Sequence, residues 1–393
     1  MIVHSYYDED PRVRREAETL VAAGNEVDVF ALRRETDDEA GLVGGVRVRR
    51  LGVQRHQGAG IGTYLREYLS FLVRSGWALT RAHRRRRYGL VQVHSLPDFL
   101  AFATLPLRLA GVPLLLDLHE AMPEFFRSRF PRAASPLAHH LLLLQERLSI
   151  GLATSIVTVN QALADRLAGL GVRPDKIHIV ANRASLARFD PAAYPTRPFA
   201  ADGTVRLIYA GALTPTYELD VALDAVARIK AERPDLAITF DLYGRGDAEA
   251  PLRRQAGTLG LGAHVMFHGR IPIEDVPAAI AAADIGLAPT RHDAFTDASL
   301  STKLFEYAAM AKPLVATRLP LVERTFPPGT LSTYPAGDAP AMASAILAVI
   351  DDPDARATAV ARALAIVRDA SWEHEAAAYL ALVDRLRRPG SGE

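Results

Sequence analysis

The sequence predicts the α/β class, in the form of two Rossmann-like, doubly wound domains that face each other across a cleft. Short apolar runs alternate with longer helical patterns along most of the chain. Such alternation, with nearly continuous apolar strands, is typical of parallel sheets that helices cover on both faces. Open sheets of this kind bind ligands at the carboxyl ends of their strands. We therefore expect the chemistry in the loops that follow strands.

A single interruption divides the pattern into two halves. Residues 189–203 carry three prolines and one glycine, without helical or strand periodicity, so we interpret them as a linker. Domains commonly contain about 100–200 residues, and a chain of 393 residues therefore predicts two of them. We predict a first domain over 1–188, a second domain over 204–370, and a C-terminal helix and tail over 371–393.

The first half contains several candidate strands and one well-marked helix. The strands are predicted at Ile2–Tyr6, Glu26–Leu32, Val46–Leu51, Leu90–His94, Pro113–Leu118, Ile156–Val159 and Ile177–Val180. The helix Pro11–Ala23 has Asp10 as its N-cap, a proline at its first position and Gly24 past its end.

The second half repeats the alternation. Its strands are predicted at Val205–Tyr209, Ala237–Tyr243, Val265–His268, Ile285–Ala288 and Leu314–Ala316. Helices fit between them at Val221–Glu232 and Thr302–Met310, and a last helix is predicted at Ser371–Leu386.

Composition excludes several classes of function. The chain has no cysteine, which excludes disulfides, thiolate metal sites and a cysteine nucleophile. Its formal net charge of +1 gives no overall attraction for polyanions, so we expect no nucleic acid partner. We find no signal-peptide pattern and no apolar run of the ~18–20 residues that a membrane span needs. We accordingly expect a cytoplasmic protein.

The most informative stretch is the segment 297–307, which opens a helix soon after a strand. A helix N-terminus presents unpaired backbone N–H groups and a positive dipole end, and phosphate binds there readily. Ser301 and Thr302 can add hydroxyl donors. Lys303 adds a positive charge, and Glu306, one turn further, can accept hydrogen bonds from a ribose diol. The alternative is an ordinary capped helix with Lys303 and Glu306 on its solvated face.

An ordered set of motifs resembles a known family. Lys303–Tyr307 followed by Lys312–Val315 looks like the donor-site helix of the retaining glycosyltransferases of family 4, which have the GT-B fold. Further segments match that family in order: Asp10–Glu16, His94–Asp98, Asp117–Glu120, Ile208–Gly211, Tyr243–Gly246, Phe267–Arg270, Ala283–Ile285 and Ser371–Trp372. The resemblance covers nearly the whole chain, and the ordered set is more specific than any single motif.

On the donor side, the resemblance implies a binding role for Gly211, Arg245, Arg270, Asp297, Leu300, Ser301, Thr302, Lys303 and Glu306. Glu306, also a catalytic candidate, would hold the ribose hydroxyls. Backbone N–H groups of residues 300–302 would face the hexose and the diphosphate. Lys303 or Arg245 would neutralise the diphosphate, and Arg270 would lie where the base rests.

On the acceptor side, the candidates are His119, His94, Asp98, Asp10 and Arg12. The resemblance places His119 against the transferred sugar near the reacting carbon, which makes it the second catalytic candidate. His94 and Asp98 would contact the acceptor. Each has a structural alternative: a histidine after a buried strand is often structural, and Asp98 can cap the next helix. Asp10 and Arg12, near the expected cleft, also fit the roles of a helix cap and a surface residue.

Two departures from the family pattern affect the donor site. The family often has two glutamates with seven residues between them, but Ala298 occupies the first position, and Asp297 is the nearest substitute. The contact to the hexose hydroxyls, and with it the donor sugar, is therefore not assigned. The loops 5–10 and 214–218 also lack the Gly-rich segment and the Arg/Lys pair of many members. We expect backbone N–H groups to hold more of the diphosphate.

The segment 8–10 has the Asp-x-Asp spacing that can hold a divalent cation. It lies in the first domain, away from the donor helix, and Asp10 already has a capping role. A helix N-terminus with a nearby cation stabilises the charge of a departing diphosphate without a metal. We therefore expect no metal and no cofactor, with a nucleotide diphosphate sugar as the donor substrate.

Residues 64–88 form an unusual segment. Apolar side chains recur at roughly helical spacing, at Leu65, Tyr68, Leu69, Leu72, Val73, Trp77 and Leu79, and four arginines follow at 84–87. A basic amphipathic helix can lie on an anionic membrane surface, which would make the protein peripheral at the inner face of the membrane. In the alternative, the apolar stripe packs on the first sheet and the arginines are solvated.

Together, these features favour a hexosyltransferase-like enzyme that moves a sugar from a nucleotide diphosphate sugar to a saccharide, lipid-linked or small-molecule acceptor. Retention of anomeric configuration is implied by the resemblance alone. Two alternatives stay open. One is a nucleotide-sugar epimerase or hydrolase on the same fold, and the other is a two-domain ligand-binding protein without catalysis.

Overall fold

The computed structural model describes residues 1–54, 60–130, 133–195 and 197–387. The chain forms two compact units, Met1–Asn182 with His374–Glu393 and Arg183–Glu373. Each unit is an α/β unit with its own sheet, which confirms the predicted fold class. The C-terminal helix belongs almost entirely to the first unit.

The first unit contains a mixed, mostly parallel sheet. Its strands are β1 (Asp28–Leu32), β2 (Ala40–Val43), β3 (Val46–Leu51), β4 (Val91–His94), β5 (Leu114–Asp117), β6 (Ser155–Thr158) and β7 (Ile177–Ile179). The strands pair in the orders β1-β3-β2 and β4-β5-β6-β7. All of these pairs are parallel except β2 with β3.

The N-terminal segment joins these two groups of strands. Ile2 forms parallel bridges with Phe30 of β1 and with Val93 of β4. Its N–H donates to the Gln92 carbonyl at 2.9 Å, and the His94 N–H donates to the Ile2 carbonyl at 3.0 Å. The prediction of a strand over Ile2–Tyr6 is thus wrong in extent, because only Ile2 of these described residues forms bridges, and it forms them between β1 and β4.

Strand β2 was not predicted, and it is the antiparallel exception. A two-glycine turn connects it to β3, with φ of +56° at Gly44 and +78° at Gly45. Positive φ at both central residues is the geometry of a tight β-hairpin, and glycine adopts it without steric cost. The Gly-Gly pair was therefore a hairpin signal in the sequence.

In the described part of the chain, the helices around the first sheet are α1 (Pro11–Ala22), α2 (Ile61–Arg86), α3 (Leu105–Leu109), α4 (Met122–Arg129), α5 (Pro136–Leu152), α6 (Gln161–Gly169) and α14 (Trp372–Arg387). The predicted N-cap of α1 is confirmed, because the Asp10 carboxylate accepts from the Val13 N–H at 3.1 Å. A 3-10 helix, Asp98–Thr104, lies between β4 and α3. Helices α2 and α5 both pack against it.

The second unit has an entirely parallel sheet in the order β10-β9-β8-β11-β12-β13. Its strands are β8 (Thr204–Ala210), β9 (Ala237–Tyr243), β10 (Val265–Gly269), β11 (Ile285–Ala288), β12 (Leu314–Thr317) and β13 (Ser332–Tyr334). Its helices are α7 (Leu219–Glu232), α8 (Glu249–Thr258), α9 (Val276–Ala282), α10 (Thr302–Ala309), α11 (Pro320–Thr325), α12 (Ala339–Asp351) and α13 (Pro353–Asp369). Only the short strand β13 was missed by the sequence analysis.

The segment 189–203, which we predicted as a linker, lies within the second unit. Phe189 is buried in the core of that unit. The Ala200 N–H donates to the Asp284 carboxylate at 3.0 Å, and Arg197 forms an ion pair with the same carboxylate.

Helix α10 is fixed tightly against the second sheet. The Tyr307 ring is fully buried, and its hydroxyl accepts from the Ala210 N–H at 3.0 Å. A Cβ on Gly286 would lie only 2.4 Å from that ring, so glycine is what lets the helix approach β11. This packing sets the position of the first turn of α10 relative to the end of β8.

Among the described helices, none combines the length and hydropathy that crossing a membrane requires.

Candidate functional site

Helix α10 begins at the carboxyl edge of the second sheet with an open N-terminus. Ser301 is its N-cap residue, but the Ser301 side chain accepts no hydrogen bond from the first turn. The capped-helix alternative is therefore wrong for the described residues. An uncapped first turn keeps its backbone donors available to an anion, and the helix dipole adds to the attraction.

Lys303 is buried beneath this helix start, with only 6% of its surface exposed. Its ammonium lies 4.8 Å from the centre of the Tyr209 ring and 4.1 Å from that of Tyr217. Aromatic faces attract a cation and hold it without neutralising its charge. The alternative that placed Lys303 on a solvated helix face is therefore wrong.

The turn after β8 closes over the Lys303 side chain. A Cβ on Gly211 would lie 2.4 Å from Lys303 Cε and 2.6 Å from Nζ. A Cβ on Gly244, at the end of β9, would lie 1.8 Å from the Gly211 carbonyl oxygen. Only glycines fit such approaches, so the ends of β8 and β9 meet backbone to backbone beside the ammonium.

Arg245 and Arg270 follow the ends of β9 and β10, and both are exposed. The Arg245 guanidinium lies beside Gly269, within 3.9 Å of the position that a Cβ there would take. Nearby, the Tyr243 and His268 rings stack with centroids 4.3 Å apart. These side chains form a polar and aromatic edge of the same sheet that carries Gly211.

The remaining donor-side candidates lie in or after the loop that precedes α10. Asp297 is exposed, and its carboxylate is 2.9 Å from His292 Nε2. The proposed substitute for the missing glutamate is thus engaged with a histidine. Leu300 packs on the apolar core, and Glu306 is partly exposed on the second turn of α10.

In the first unit, Asp117 at the end of β5 is the centre of a buried polar cluster. Arg12 donates to both of its carboxylate oxygens, at 2.9 and 2.7 Å. His94 Nδ1 lies 2.8 Å from Asp117 Oδ2. Arg12 is only 5% exposed, so the interpretation of it as a surface residue is wrong. Burial away from water disfavours the charged forms of Arg12 and Asp117, and the attraction between the two charges offsets that cost.

The cluster continues away from Asp117 through Glu16, Gln92 and Tyr379. Arg12 Nε is 3.4 Å from Glu16 Oε1, and Gln92 donates to the other Glu16 oxygen at 2.6 Å. The Tyr379 hydroxyl of α14 donates to Gln92 at 2.6 Å. Burial raises the pKa of Glu16. Burial also opposes ionisation of Asp117, but Arg12 and the histidines outweigh it and hold the pKa of Asp117 well below its usual value.

Glu16, His94 and Asp117 bring three ligand-type atoms within 4.8 Å of one another. Such a group is a candidate metal site on side-chain type alone. The Arg12 guanidinium, however, already contacts two of its carboxylates. The Arg12 guanidinium is itself a cation, and its contacts with Glu16 and Asp117 account for the closeness of these two carboxylates.

His119 stands where the cluster reaches solvent. Its Nδ1 lies 3.8 Å from Asp117 Oδ2, and about a quarter of its side chain is exposed (24%). Burial lowers its pKa, but Asp117 outweighs burial, and the net effect is a raised pKa. His94, by contrast, is fully buried, and its Nε2 has no partner among the residues that the structure describes.

Asp98 is fully buried at the start of the 3-10 helix. Neither of its carboxylate oxygens has a hydrogen-bond partner in the described part of the chain, so the capping alternative is wrong. Burial, reinforced by the charge of Glu146, raises the pKa of Asp98 to about 8. Asp98 is therefore mostly protonated at neutral pH, and its carboxyl group is a donor as well as an acceptor.

The carboxylates of the Asp-x-Asp segment all have other partners. Asp8 pairs with Arg50 at 3.1 Å, and Glu9 pairs with Arg34. Asp10 caps α1 and accepts from the Ser5 hydroxyl at 2.7 Å.

The structure thus brings Gly211 and Lys303 together in the second unit, and it places Arg12, His94 and His119 around Asp117 in the first. Sequence reasoning missed the roles of Asp117 and of the two tyrosines beside Lys303. The available signal for Asp117 was an aspartate at the end of an otherwise apolar strand. No local pattern in the sequence indicated that two tyrosines would lie beside Lys303.

Both halves of the chain match families of known proteins. The family described as "Glycosyl transferase 4-like domain" matches residues 10–183. The family described as "Glycosyl transferases group 1" matches residues 204–352.

Curated relatives are similar over much of the chain. The alpha-D-kanosaminyltransferase of Streptomyces kanamyceticus is 24% identical over 71% of this chain and 73% of its own length. A D-inositol 3-phosphate glycosyltransferase of Pseudarthrobacter chlorophenolicus is 27% identical over 78% and 74%. A phosphatidyl-myo-inositol mannosyltransferase of Mycobacterium leprae is 30% identical over 45% of each chain.

Solved structures share the fold over nearly the full length. Sucrose-phosphate synthase from Thermosynechococcus elongatus superposes with a TM-score of 0.77 at 20% identity, covering 98% of both chains. The Anabaena protein HepE in complex with UDP-glucose gives a TM-score of 0.70 at 16% identity, with the same coverage.

Proposed function

This chain belongs to the glycosyltransferases with the GT-B fold, and from that premise we propose how it holds its donor. A nucleotide diphosphate sugar binds with its diphosphate at the N-terminus of α10 and its ribose on Glu306. The observation that carries this proposal is the buried Lys303 ammonium, which lies beside Gly211 below an uncapped helix start.

Charge explains why this position suits the reaction. Breaking the bond between sugar and diphosphate increases the negative charge on the leaving group. Fixed backbone donors and a buried cation stabilise that charge without reorganising during the step. Because Tyr209 and Tyr217 hold Lys303 through their ring faces, the ammonium keeps its positive charge for the phosphate.

We further propose that Arg245 and Arg270 border the base and the diphosphate, since both follow strand ends at the same sheet edge. Asp297 then takes the place of the missing glutamate only after it leaves His292, whose Nε2 is 2.9 Å away. Relatives and neighbours named for UDP-glucose and for GDP-mannose support a uridine or guanosine diphosphate donor.

The acceptor is proposed to bind on the first unit. His119 offers a partly exposed ring, and Asp98 and His94 offer buried polar atoms that lack partners among the described residues. Hydroxyl groups of a sugar-like acceptor would satisfy such atoms. Relatives named for inositol 3-phosphate and for phosphatidyl-myo-inositol support a saccharide-like or lipid-linked acceptor.

Three finer properties belong to the same proposal. Transfer proceeds with retention, as the family resemblance implies, and without a metal, since the helix start and Lys303 supply the positive charge. Activity that is unchanged after dialysis against EDTA supports transfer without a metal, and a loss of activity that Mg²⁺ restores contradicts it.

The protein works in the cytoplasm, and α2 contacts the inner face of the membrane.

A donor-binding experiment tests the central proposal. Calorimetry with UDP-glucose and with GDP-mannose identifies the donor that wild type binds. Glu306→Ala should then lose at least about tenfold in affinity, because the ribose hydroxyls lose a charged acceptor worth about 1.5–3 kcal/mol. Glu232→Ala, at the exposed end of α7, is the matched control and should bind as wild type does. Unchanged affinity in Glu306→Ala, with circular dichroism intact, contradicts the proposal.

A further inference from the structure

Helix α2 exposes a row of large apolar side chains. Leu65, Leu69, Val73 and Trp77 recur every four residues, and each is more than half exposed. The row is about 18 Å long at 1.5 Å per residue. The alternative in which the stripe of α2 packs on the sheet is wrong for these four, because Phe71 and other residues fill the inner face instead.

Helix α5 exposes a second row of the same kind. Leu137, Leu141, Leu144 and Leu148 follow helical spacing, and each is also more than half exposed. Sequence analysis did not single out this helix. Four leucines on one solvent-facing stripe are unusual in a monomer, where exposed apolar residues are normally scattered.

The two rows lie on helices of the first unit that share a packing partner. Both helices pack against the same 3-10 helix, Asp98–Thr104. A Cβ on Gly76 of α2 would lie 3.3 Å from the Ala103 carbonyl, which shows how closely α2 approaches that element. We name the two rows together the docking face.

Every exposed charge on these two helices is positive. The only acidic residue of α2 is Glu67, and the only one of α5 is Glu146; both are buried. Glu146 also forms an ion pair with Arg166 at 2.7 Å. The exposed basic residues are Arg66, Arg74, Arg81, Arg84, Arg85, Arg86 and Arg147.

We propose that the docking face binds the surface of an anionic lipid bilayer through both helices at once. This deepens the membrane contact of α2 proposed above by adding α5 as a second, independent anchor. Apolar side chains enter the headgroup boundary while the arginines meet lipid phosphates. Long arginine side chains reach the charged layer while their stems stay beside the leucines.

Charge also decides between a bilayer and a second copy of this chain. A two-fold dimer through the docking face would bring one set of arginines against an identical set, with no exposed carboxylate on either helix to offset them. An anionic bilayer offers the complementary charge. Trp77, with the Arg81 guanidinium 5.7 Å from its ring centre, has the mixed character that favours a membrane interface.

The two tryptophans of the chain make the contact measurable. Trp77 is 68% exposed, and Trp372 is 4% exposed. Adding vesicles of phosphatidylcholine that contain anionic phosphatidylglycerol should shift the emission to shorter wavelength. Trp77→Phe should lose that shift. Vesicles of phosphatidylcholine alone should give little shift and little co-sedimentation.

Variants on each helix test whether both are needed. Val73→Glu on α2 and the double variant Leu141→Glu with Leu144→Glu on α5 should each lower the vesicle partition coefficient at least about tenfold, because each removes buried apolar area and adds a like charge. Leu42→Glu is the matched control, since Leu42 is 71% exposed on β2, and its binding should equal that of wild type. Donor affinity by calorimetry should be unchanged in all of them.

Several outcomes overturn the inference. The inference is wrong if the wild-type protein does not sediment with anionic vesicles at low salt. It is also wrong if the protein binds neutral vesicles as strongly as anionic ones. A dimer in sedimentation velocity that the α5 variant dissociates points to a second copy instead. If the α5 variant binds vesicles as wild type does while Val73→Glu does not, α5 is no anchor, and only the contact of α2 stands. None of these results bears on donor binding, which the calorimetry reports separately.

Discussion

Arg12 donates two hydrogen bonds to Asp117, one to each carboxylate oxygen, and both side chains are buried. The pair joins the start of α1 to the end of β5, the strand that precedes His119. Neither charge has access to water, so each depends on the other for its stability. Two oppositely charged residues that lie 105 positions apart in the sequence therefore hold the loop that presents His119.

Removing one partner of this pair should be costly. Asp117→Asn removes the carboxylate that accepts both Arg12 hydrogen bonds and leaves only Glu16, 3.4 Å away, beside the buried guanidinium. Breaking a buried pair in this way typically costs about 3–5 kcal/mol. Urea denaturation followed by circular dichroism measures the loss. The exposed pair of Arg173 with Asp175 supplies the control, and Asp175→Asn should change the free energy of unfolding by about 1 kcal/mol or less. Equal effects of the two substitutions would show that the buried pair is not important to stability.

Lys303→Met should weaken binding of a nucleoside diphosphate without weakening binding of the nucleoside. A charged hydrogen bond is worth about 1.5–3 kcal/mol, so the loss should be roughly ten- to hundredfold. Calorimetry with the two ligands separates a phosphate effect from a general one. Lys230→Met on α7 is the control, because among the described residues the Lys230 ammonium donates to the Leu236 carbonyl and to no carboxylate. A similar loss for both ligands would place Lys303 away from the phosphate.

Gly211→Ala should reproduce part of the Lys303 effect. The new methyl group would lie 2.4 Å from Lys303 Cε, and the flexible end of that side chain is what must move. We expect a folded protein with lowered affinity for nucleoside diphosphates. Gly257→Ala in α8, where nothing lies within 4 Å of the added methyl, should bind normally and gain up to about 1 kcal/mol of stability. If Gly211→Ala binds nucleoside diphosphates with wild-type affinity, the position of the Lys303 ammonium does not determine that affinity.

Asp98→Asn should make stability less dependent on pH. Burial raises the pKa of Asp98 to about 8 in the folded protein, whereas the unfolded chain loses this proton near the ordinary aspartate pKa of 3.8. Between these values the folded state binds more protons, so stability falls as pH rises, by up to about 1.4 kcal/mol per pH unit. The variant should thus gain in melting temperature relative to wild type from pH 5 to pH 8. Parallel curves for the two proteins would show that Asp98 is ionised in the fold.

Much of the fold followed from local patterns. Strands Val46–Leu51, Ala237–Tyr243 and Ile285–Ala288 are confirmed residue for residue. The first two alternate apolar with polar residues over part of their length, the third is a continuous apolar run, and both patterns predict strands. Strand β2 did not follow, since its alternation is weak and its residues are mostly exposed. Its partner and direction depend on a two-glycine turn rather than on periodicity.

The candidate site was less predictable than the fold. Lys303 lies at a helix position that usually faces solvent, and only Tyr209 and Tyr217, far from it in sequence, explain its burial. Arg12 likewise finds its partner 105 residues away. Such contacts depend on which strands become neighbours, and a single sequence does not specify that pairing. The capping alternative for Asp98 failed for the same reason, because its burial comes from the tertiary packing around the 3-10 helix.

A crystal structure with the preferred nucleoside diphosphate tests the central claim most directly. The account predicts phosphate oxygens within hydrogen-bonding distance of the backbone N–H groups that open α10 and of the Lys303 ammonium, with the ribose hydroxyls on Glu306. Ordered nucleotide density elsewhere, with this helix start and Lys303 untouched, would contradict it.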